Sequence, residues 1–233
     1  MKKHVTLFSS VLMMSTTLLG AGGVFADSNI PSPNTAKTPV SAVLSINETP
    51  NKPTPPVAPE GGGDTATDIE GLFGIAYTPS SLSGSKQLEE KGNTEVALTN
   101  QSSEENKFNV GVQDKTRGKD RAWTLKAQLS WDGDEHGYMD GATITAIQGN
   151  VKGNDGKGNL TDLEQSEVTT EAQNLTIQKG SEVTIMSAQK GKTINGVYNY
   201  QFKDPKLVIP NSENVTSGTY SGNITWNLSN AME

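Results

Sequence analysis

The sequence predicts an all-β protein: an antiparallel β-sandwich or barrel-like domain preceded by a disordered Pro-rich stem. Three observations carry this. Residues 122–131 place Trp123, Leu125, Ala127, Leu129 and Trp131 alternately with Thr124, Lys126, Gln128 and Ser130. That period of two belongs to a strand with one buried and one wet face. Near the end of the chain, Tyr220, Gly222, Ile224, Trp226 and Leu228 alternate in the same way with Ser221, Asn223, Thr225 and Asn227. Between these two stretches, and before them, short alternating runs recur with Gly, Asn, Asp and Lys turns separating them, the pattern of a sandwich or barrel.

Composition narrows the class further. Apolar residues are 33% of the chain, below the roughly 45–50% of ordinary globular domains on a count that includes glycine. There are 24 glycines and no cysteine. Disulfides and thiol chemistry are thereby excluded, so the fold rests on its core. The net charge of −7 argues against nucleic acid or an anionic membrane as a general partner.

Residues 1–26 read as a signal peptide. Lys2 and Lys3 precede an apolar run over residues 5–19, and Val24-Phe25-Ala26 offers small residues at a cleavage site. The run is short and polar-spotted for a membrane span, and no basic stop-transfer flank follows it. Export is expected, and loss of Lys2 and Lys3 would take the charge from −7 to −9. Residues 27–67 read as a linker, holding eight of the 11 prolines and ending at Gly61-Gly62-Gly63. Such composition favours extended polyproline chain; it suits a stem crossing a wall, or plain N-terminal padding. The all-β domain is expected over residues 68–233.

Within it, residues 72–77 form a strand ending at Thr78-Pro79. Val96 and Leu98 share one strand face, and Phe108, Val110 and Val112 share another. After a charged turn comes the strand ending at Trp131, then a polar loop over 132–140 and a strand over 142–147. Residues 149–170 lack clean periodicity and are expected to be a long loop, with one helical turn over 160–167 capped by Thr161. The pairs Leu175/Ile177, Val183/Ile185 and Leu207/Ile209 and the trio Tyr198/Tyr200/Phe202 mark further strands.

The two Trp-x-Leu strands carry the resemblance. Trp123-Thr124-Leu125 and Trp226-Asn227-Leu228 lie about a hundred residues apart, the second close to the C-terminus. Phe73-Gly74-Ile75-Ala76-Tyr77-Thr78-Pro79, Val112-Gln113-Asp114 and Gly141-Ala142-Thr143-Ile144 support them, as does Gly218-Thr219-Tyr220. Together these resemble the WxL domain family of surface proteins of low-GC Gram-positive bacteria. The resemblance implies a secreted, cell-surface protein held non-covalently on the cell wall, with peptidoglycan as ligand. It also implies other WxL-type proteins and a membrane-anchored interacting protein as partners. Host extracellular matrix is a partner of some relatives, and no residue here carries it over.

Catalysis finds little to work with. The chain past the leader has one histidine, His136, and no Gly-x-Ser-x-Gly elbow. Lys190-Gly191-Lys192-Thr193 ends like a phosphate loop, but Met186 stands where its first glycine is required. The acidic loop around Asp132, Asp134 and Asp140 has His136 and Thr143 at two calcium-ligand positions, so a solvated turn is the better account. The same carboxylates sit in one local loop, unlike a glycosidase pair. No catalytic residue, cofactor or metal is expected.

Candidate binding residues are therefore of two kinds. Trp123, Leu125, Trp226 and Leu228 sign the motif, and their alternation favours a core role over sugar stacking. Lys115, Arg117, Lys119 and Arg121 put four bases within seven positions. They suit anionic wall polymers or peptide carboxylates, or form a merely solvated turn. Three readings follow: a non-catalytic wall binder, a structural subunit docking on a membrane-anchored protein, and a wall-glycan enzyme.

Overall fold

In a computed structural model of the chain, residues 33–163 and 167–231 are described; the expected signal peptide, residues 1–26, lies outside them. The chain divides into two units. In the first, residues 33–44 are exposed and carry neither strand nor helix. The second unit, Ser45–Glu233, contains twelve strands among the described residues. They are β1 Asp64–Ala66, β2 Phe73–Pro79, β3 Thr94–Ala97, β4 Lys107–Asp114, β5 Ala122–Asp132 and β6 Thr143–Asn154, then β7 Leu160–Thr161, β8 Val168–Thr170, β9 Leu175–Gln178, β10 Val183–Ala188, β11 Gly196–Ile209 and β12 Ser221–Ala231.

Eight strands form one antiparallel sheet in the order β1-β2-β4-β11-β6-β7, with β3 also on β11 and β9 also on β6. The other sheet has four strands, β12-β5-β10-β8. A bridge from Leu129 to Lys179 ties the sheets along one side, so the sandwich is partly closed, as the alternation predicts.

The inward faces fill the space between. Phe108, Val110 and Val112 of β4, Trp123, Leu125, Ala127 and Leu129 of β5, and Tyr198, Tyr200 and Phe202 of β11 are all buried. Phe108 stacks on Phe202 with ring centroids 5.8 Å apart, and Trp123 meets Tyr198 at the same separation. Aromatic pairs at this distance add to the stabilisation that burial gives.

The expected loop over 149–170 is corrected. β6 continues to Asn154, and β7 and β8 follow. The alternation is interrupted because Gln148 takes φ 56° and the next residue is Gly149, where the backbone of Ala172 and the Tyr200 hydroxyl approach too closely for a side chain. Beyond that step the outward residues are Asn150, Lys152 and Asn154, whose polarity hides the strand. Leu160 and Thr161 are strand rather than helix; residues 164–166 of the expected helical turn lie outside the described residues. The two runs at 198–202 and 207–209 are likewise one strand, β11. Its register against β6 shifts twice around Asp204, which has φ 50° and precedes Pro205.

The outer face of the large sheet is polar and covered. Tyr77 donates to Asn199 (2.8 Å), Asn199 donates to Asn109 (2.9 Å), and Asn154 donates to the Tyr77 hydroxyl (2.9 Å). A strap formed by residues 53–66 lies over them. Asn109 donates to Asp64 from its backbone (2.9 Å) and its side chain (2.8 Å), and Gln201 donates to the Glu60 carbonyl (2.9 Å). Thr54 bonds to Gly156, and Pro53, Pro56, Gly61 and Gly63 are buried. Proline content alone marks this segment as linker. Polyproline-like chain needs hydrogen-bond partners outside itself, and here the asparagines and glutamine of β4, β6 and β11 supply them.

Candidate functional site

The two Trp-x-Leu strands are neighbours. β12 pairs with β5 over its whole length without a shift, Leu228 directly opposite Leu125, Trp226 opposite Ala127 and Trp123 opposite Asn230. Both motifs thus point into the same core, but unequally. Trp123 is fully buried, because β5 has β12 on one side and β10 on the other. Trp226 and Leu228 sit on the outermost strand and are half-buried, Trp226 leaning on Phe202 at 6.4 Å. Iodide quenching is expected to separate them. A protein with Trp131 and Trp226 replaced by phenylalanine should show almost no quenchable emission, and returning Trp226 should restore it.

Trp123 is also wired outward. Its indole N–H donates to the Thr193 hydroxyl (2.9 Å), which donates to Asp114 Oδ2 (2.9 Å). Asp114 Oδ1 in turn accepts from the Thr116 hydroxyl (2.7 Å) and backbone N–H (3.2 Å). All three of Trp123, Thr193 and Asp114 are buried. A buried polar chain of this kind is held only when each member is satisfied. Here it satisfies the tryptophan and pins the start of the basic loop.

Register explains what that loop meets. Asp114 lies opposite Gly196 in the large sheet, and Trp123 lies opposite Ala188 in the small one. The connection 115–121 from β4 to β5 and the connection 189–195 from β10 to β11 must therefore cross between the sheets side by side. They are joined by Arg117 N–H to Ile194 carbonyl (2.7 Å) and Gly191 N–H to Arg121 carbonyl (3.0 Å). Gly191 takes φ 72°, and a Cβ there would meet the Lys119 carbonyl, so glycine is needed on both counts.

The predicted basic residues divide accordingly. Arg121 stacks over Phe73 at 4.4 Å and donates to Asn230 (3.2 Å). Lys115 is half-buried, donates to the Asn51 carbonyl (3.3 Å), and is held below the usual lysine pKa by burial. Arg117 and Lys119 are exposed. Lys190 and Lys192, also exposed, join them from the second loop. In the sequence those two lysines stand out only as part of a phosphate-loop ending. Nothing short of the strand register places them beside Arg117.

The acidic loop 132–140 has a different character. Asp134 accepts from Met139 N–H (3.1 Å), Asp140 pairs with Lys179 (2.8 Å), and Asp132 accepts from Asn223 (3.2 Å). These three aspartates are engaged separately with different partners.

A family model described as WxL domain surface cell wall-binding matches residues 31–231. No curated protein and no solved structure matches the chain.

Proposed function

The chain belongs to the WxL domain surface cell wall-binding family, and on that premise we propose that it is a secreted, non-catalytic protein that attaches to peptidoglycan through residues 45–231. Family membership makes it a surface protein that binds the cell wall; peptidoglycan as the ligand and the absence of catalysis are the finer steps. What supports them is the family match, which spans nearly all of the domain, together with one end of the domain where, among the described residues, Arg117, Lys119, Lys190 and Lys192 have no acidic partner. Purified, protein-free peptidoglycan should retain the mature protein in a sedimentation assay, and wall suspensions should keep their turbidity. Equal recovery with and without the matrix would sink direct attachment.

One observation favours a second reading, docking on a membrane-anchored partner protein. β12 is an eleven-residue edge strand with no charge, no proline and no bulge, and such an edge invites pairing by another chain. The quenching of Trp226 discriminates the two. Docking along β12 shields Trp226 from iodide, whereas contact at the basic end leaves its quenching unchanged.

A further inference from the structure

We infer that Arg117, Lys119, Lys190 and Lys192 form the wall contact and that they take the free carboxylates of the peptide stems, not the glycan strand. This rests on the peptidoglycan reading above and says which part of that matrix is recognised.

The first argument is charge segregation. The loops 115–121 and 189–195 carry six basic residues and Asp120, five net positive charges within a chain of net −7, so the remainder carries twelve net negative charges. A polyanionic matrix is repelled by most of this surface and attracted to one end of it.

The second is availability. Four of the five strand lysines are committed: Lys107 pairs with Glu105 and Glu60, Lys126 with Glu182, Lys152 with Glu60 and Lys206 with Glu95, while Lys203 of β11 has no ion pair among the described residues. Among the described residues none of Arg117, Lys119, Lys190 and Lys192 has an ion pair or a side-chain hydrogen bond, and all four are exposed. Their backbones are nonetheless fixed by the bonds between the loops and by the chain from Trp123 to Thr116. Held backbone with uncommitted charge loses less freedom on binding than a loose tail does.

The third argument weighs against sugar. Carbohydrate rings are gripped by stacking on aromatic faces, and among the described residues no tryptophan, tyrosine or phenylalanine is exposed. Trp123 is enclosed, and Trp131 and Trp226 pack on the core. Guanidinium and ammonium groups match carboxylates directly, the arginine in bidentate fashion.

The test uses the mature protein on three matrices: purified peptidoglycan, the same material with its carboxylates capped as neutral ethanolamides, and walls that keep their phosphodiester polymers. Strong retention on the first and its loss on the second are expected, with steep weakening by added salt. A peptide-free N-acetylglucosamine oligomer should not compete, whereas soluble muropeptides should. An exposed ion pair is worth roughly twofold to fivefold in affinity. The variant Arg117→Gln/Lys119→Gln/Lys190→Gln/Lys192→Gln should therefore bind between about tenfold and several hundredfold more weakly, with unchanged melting. Lys157→Gln, an exposed cation elsewhere, should bind as the parent does. Equal retention on capped and uncapped material overturns the carboxylate assignment while leaving peptidoglycan as the ligand. Retention only where phosphodiester polymer remains overturns it too. No retention on untreated peptidoglycan removes the parent reading itself. Capping alters the matrix alone, so the test stands even where the fourfold variant does not fold.

Discussion

Trp123→Ala is expected to cost about 3–5 kcal/mol, the range for deleting a large aromatic from a packed core. Against the roughly 5–15 kcal/mol that holds a domain together, that leaves a protein close to unfolding. Two losses combine. The fully buried ring packs on Tyr198, and the indole N–H is the first member of the chain through Thr193 to Asp114. Thr193→Val separates them, because it keeps the volume and removes the hydroxyl. It leaves a buried indole donor unpaired and takes one hydrogen bond from a buried carboxylate, for which about 1–3 kcal/mol is expected per orphaned group. Thr193→Ser should restore most of it. Trp226→Ala should cost less than Trp123→Ala, since Trp226 is half-buried on an edge strand. Urea titrations that give the midpoint at constant slope measure all four. A Trp226 variant as damaging as the Trp123 variant would refute the division between an enclosed motif and an edge motif. The same Thr193→Val protein should also bind peptidoglycan more weakly at unchanged net charge, because both basic loops depend on that hydroxyl for their position.

The strands were legible wherever one face is apolar and the other polar. β5 and β12 alternate over nine residues; the structure buries Trp123, Leu125, Ala127 and Leu129 of β5 and half-buries Ile224, Trp226 and Leu228 of β12 on the same core. β4 and the first half of β11 follow the same rule. What sequence could not show falls where period-two alternation is not driven by burial against the core. The second half of β6 points Asn150, Lys152 and Asn154 outward, the last two toward a strap through Glu60 and Thr54. β1 is three residues long and sits in proline-rich chain; its place is set by Asn109, forty-five positions away in sequence. The basic cluster was half visible for a related reason. Lys115 to Arg121 are close in sequence, but Lys190 and Lys192 reach them only through pairing of β4 with β11 and β5 with β10, a long-range register that local pattern does not encode.

The inequality of the two motifs has a structural logic. A central strand such as β5 can enclose a tryptophan because neighbours flank it on both sides, and from there the indole reaches the connections at the sheet's end. An edge strand has one neighbour only, so Trp226 and Leu228 close the core from outside and remain half accessible. One motif therefore organises the loops that carry positive charge, while the other lies under the open edge where a further strand would pair. The two proposed modes of attachment are thus separated in space by the same pair of strands. Loop substitutions should leave the edge untouched, and edge substitutions such as Thr225→Pro should leave the loops' charge untouched.

The parent protein is expected to lose stability as pH rises from about 4 to 6.5, and Asp64→Asn is expected to flatten that fall. The Asp64 carboxyl lies between the strap and the polar face of the large sheet, where burial pushes its pKa from 3.8 up to about 6, against the two hydrogen bonds from Asn109 that favour its charged form. A carboxyl whose folded value is raised binds its proton more tightly in the native state than in the unfolded one. Its contribution is therefore complete below about pH 4 and lost as pH rises through about 6. A rise of that size corresponds to roughly 3 kcal/mol, or roughly 5–10 °C in melting temperature for a domain of this size. Glu60, on the same strap, acts in the opposite sense. The Gln201 amide holds its carboxyl below the ordinary value, helped by Lys152 and Lys107, so its smaller contribution appears above its unfolded value and is lost on acidification. The remaining titratable neighbour, the Tyr77 hydroxyl, is pushed far above the range in question by burial. Melting curves of parent and Asp64→Asn at half-unit intervals between pH 4 and 7 measure the difference directly. Parallel curves across that interval would show that Asp64 titrates as in the unfolded chain and that the strap is not closed by a protonated carboxyl. With the expected divergence, the protection of the β1 amides, taken relative to base-catalysed exchange of the free peptide at each pH, should fall above pH 6 in the parent and stay constant in the variant, because the ionised group is the one that water competes for.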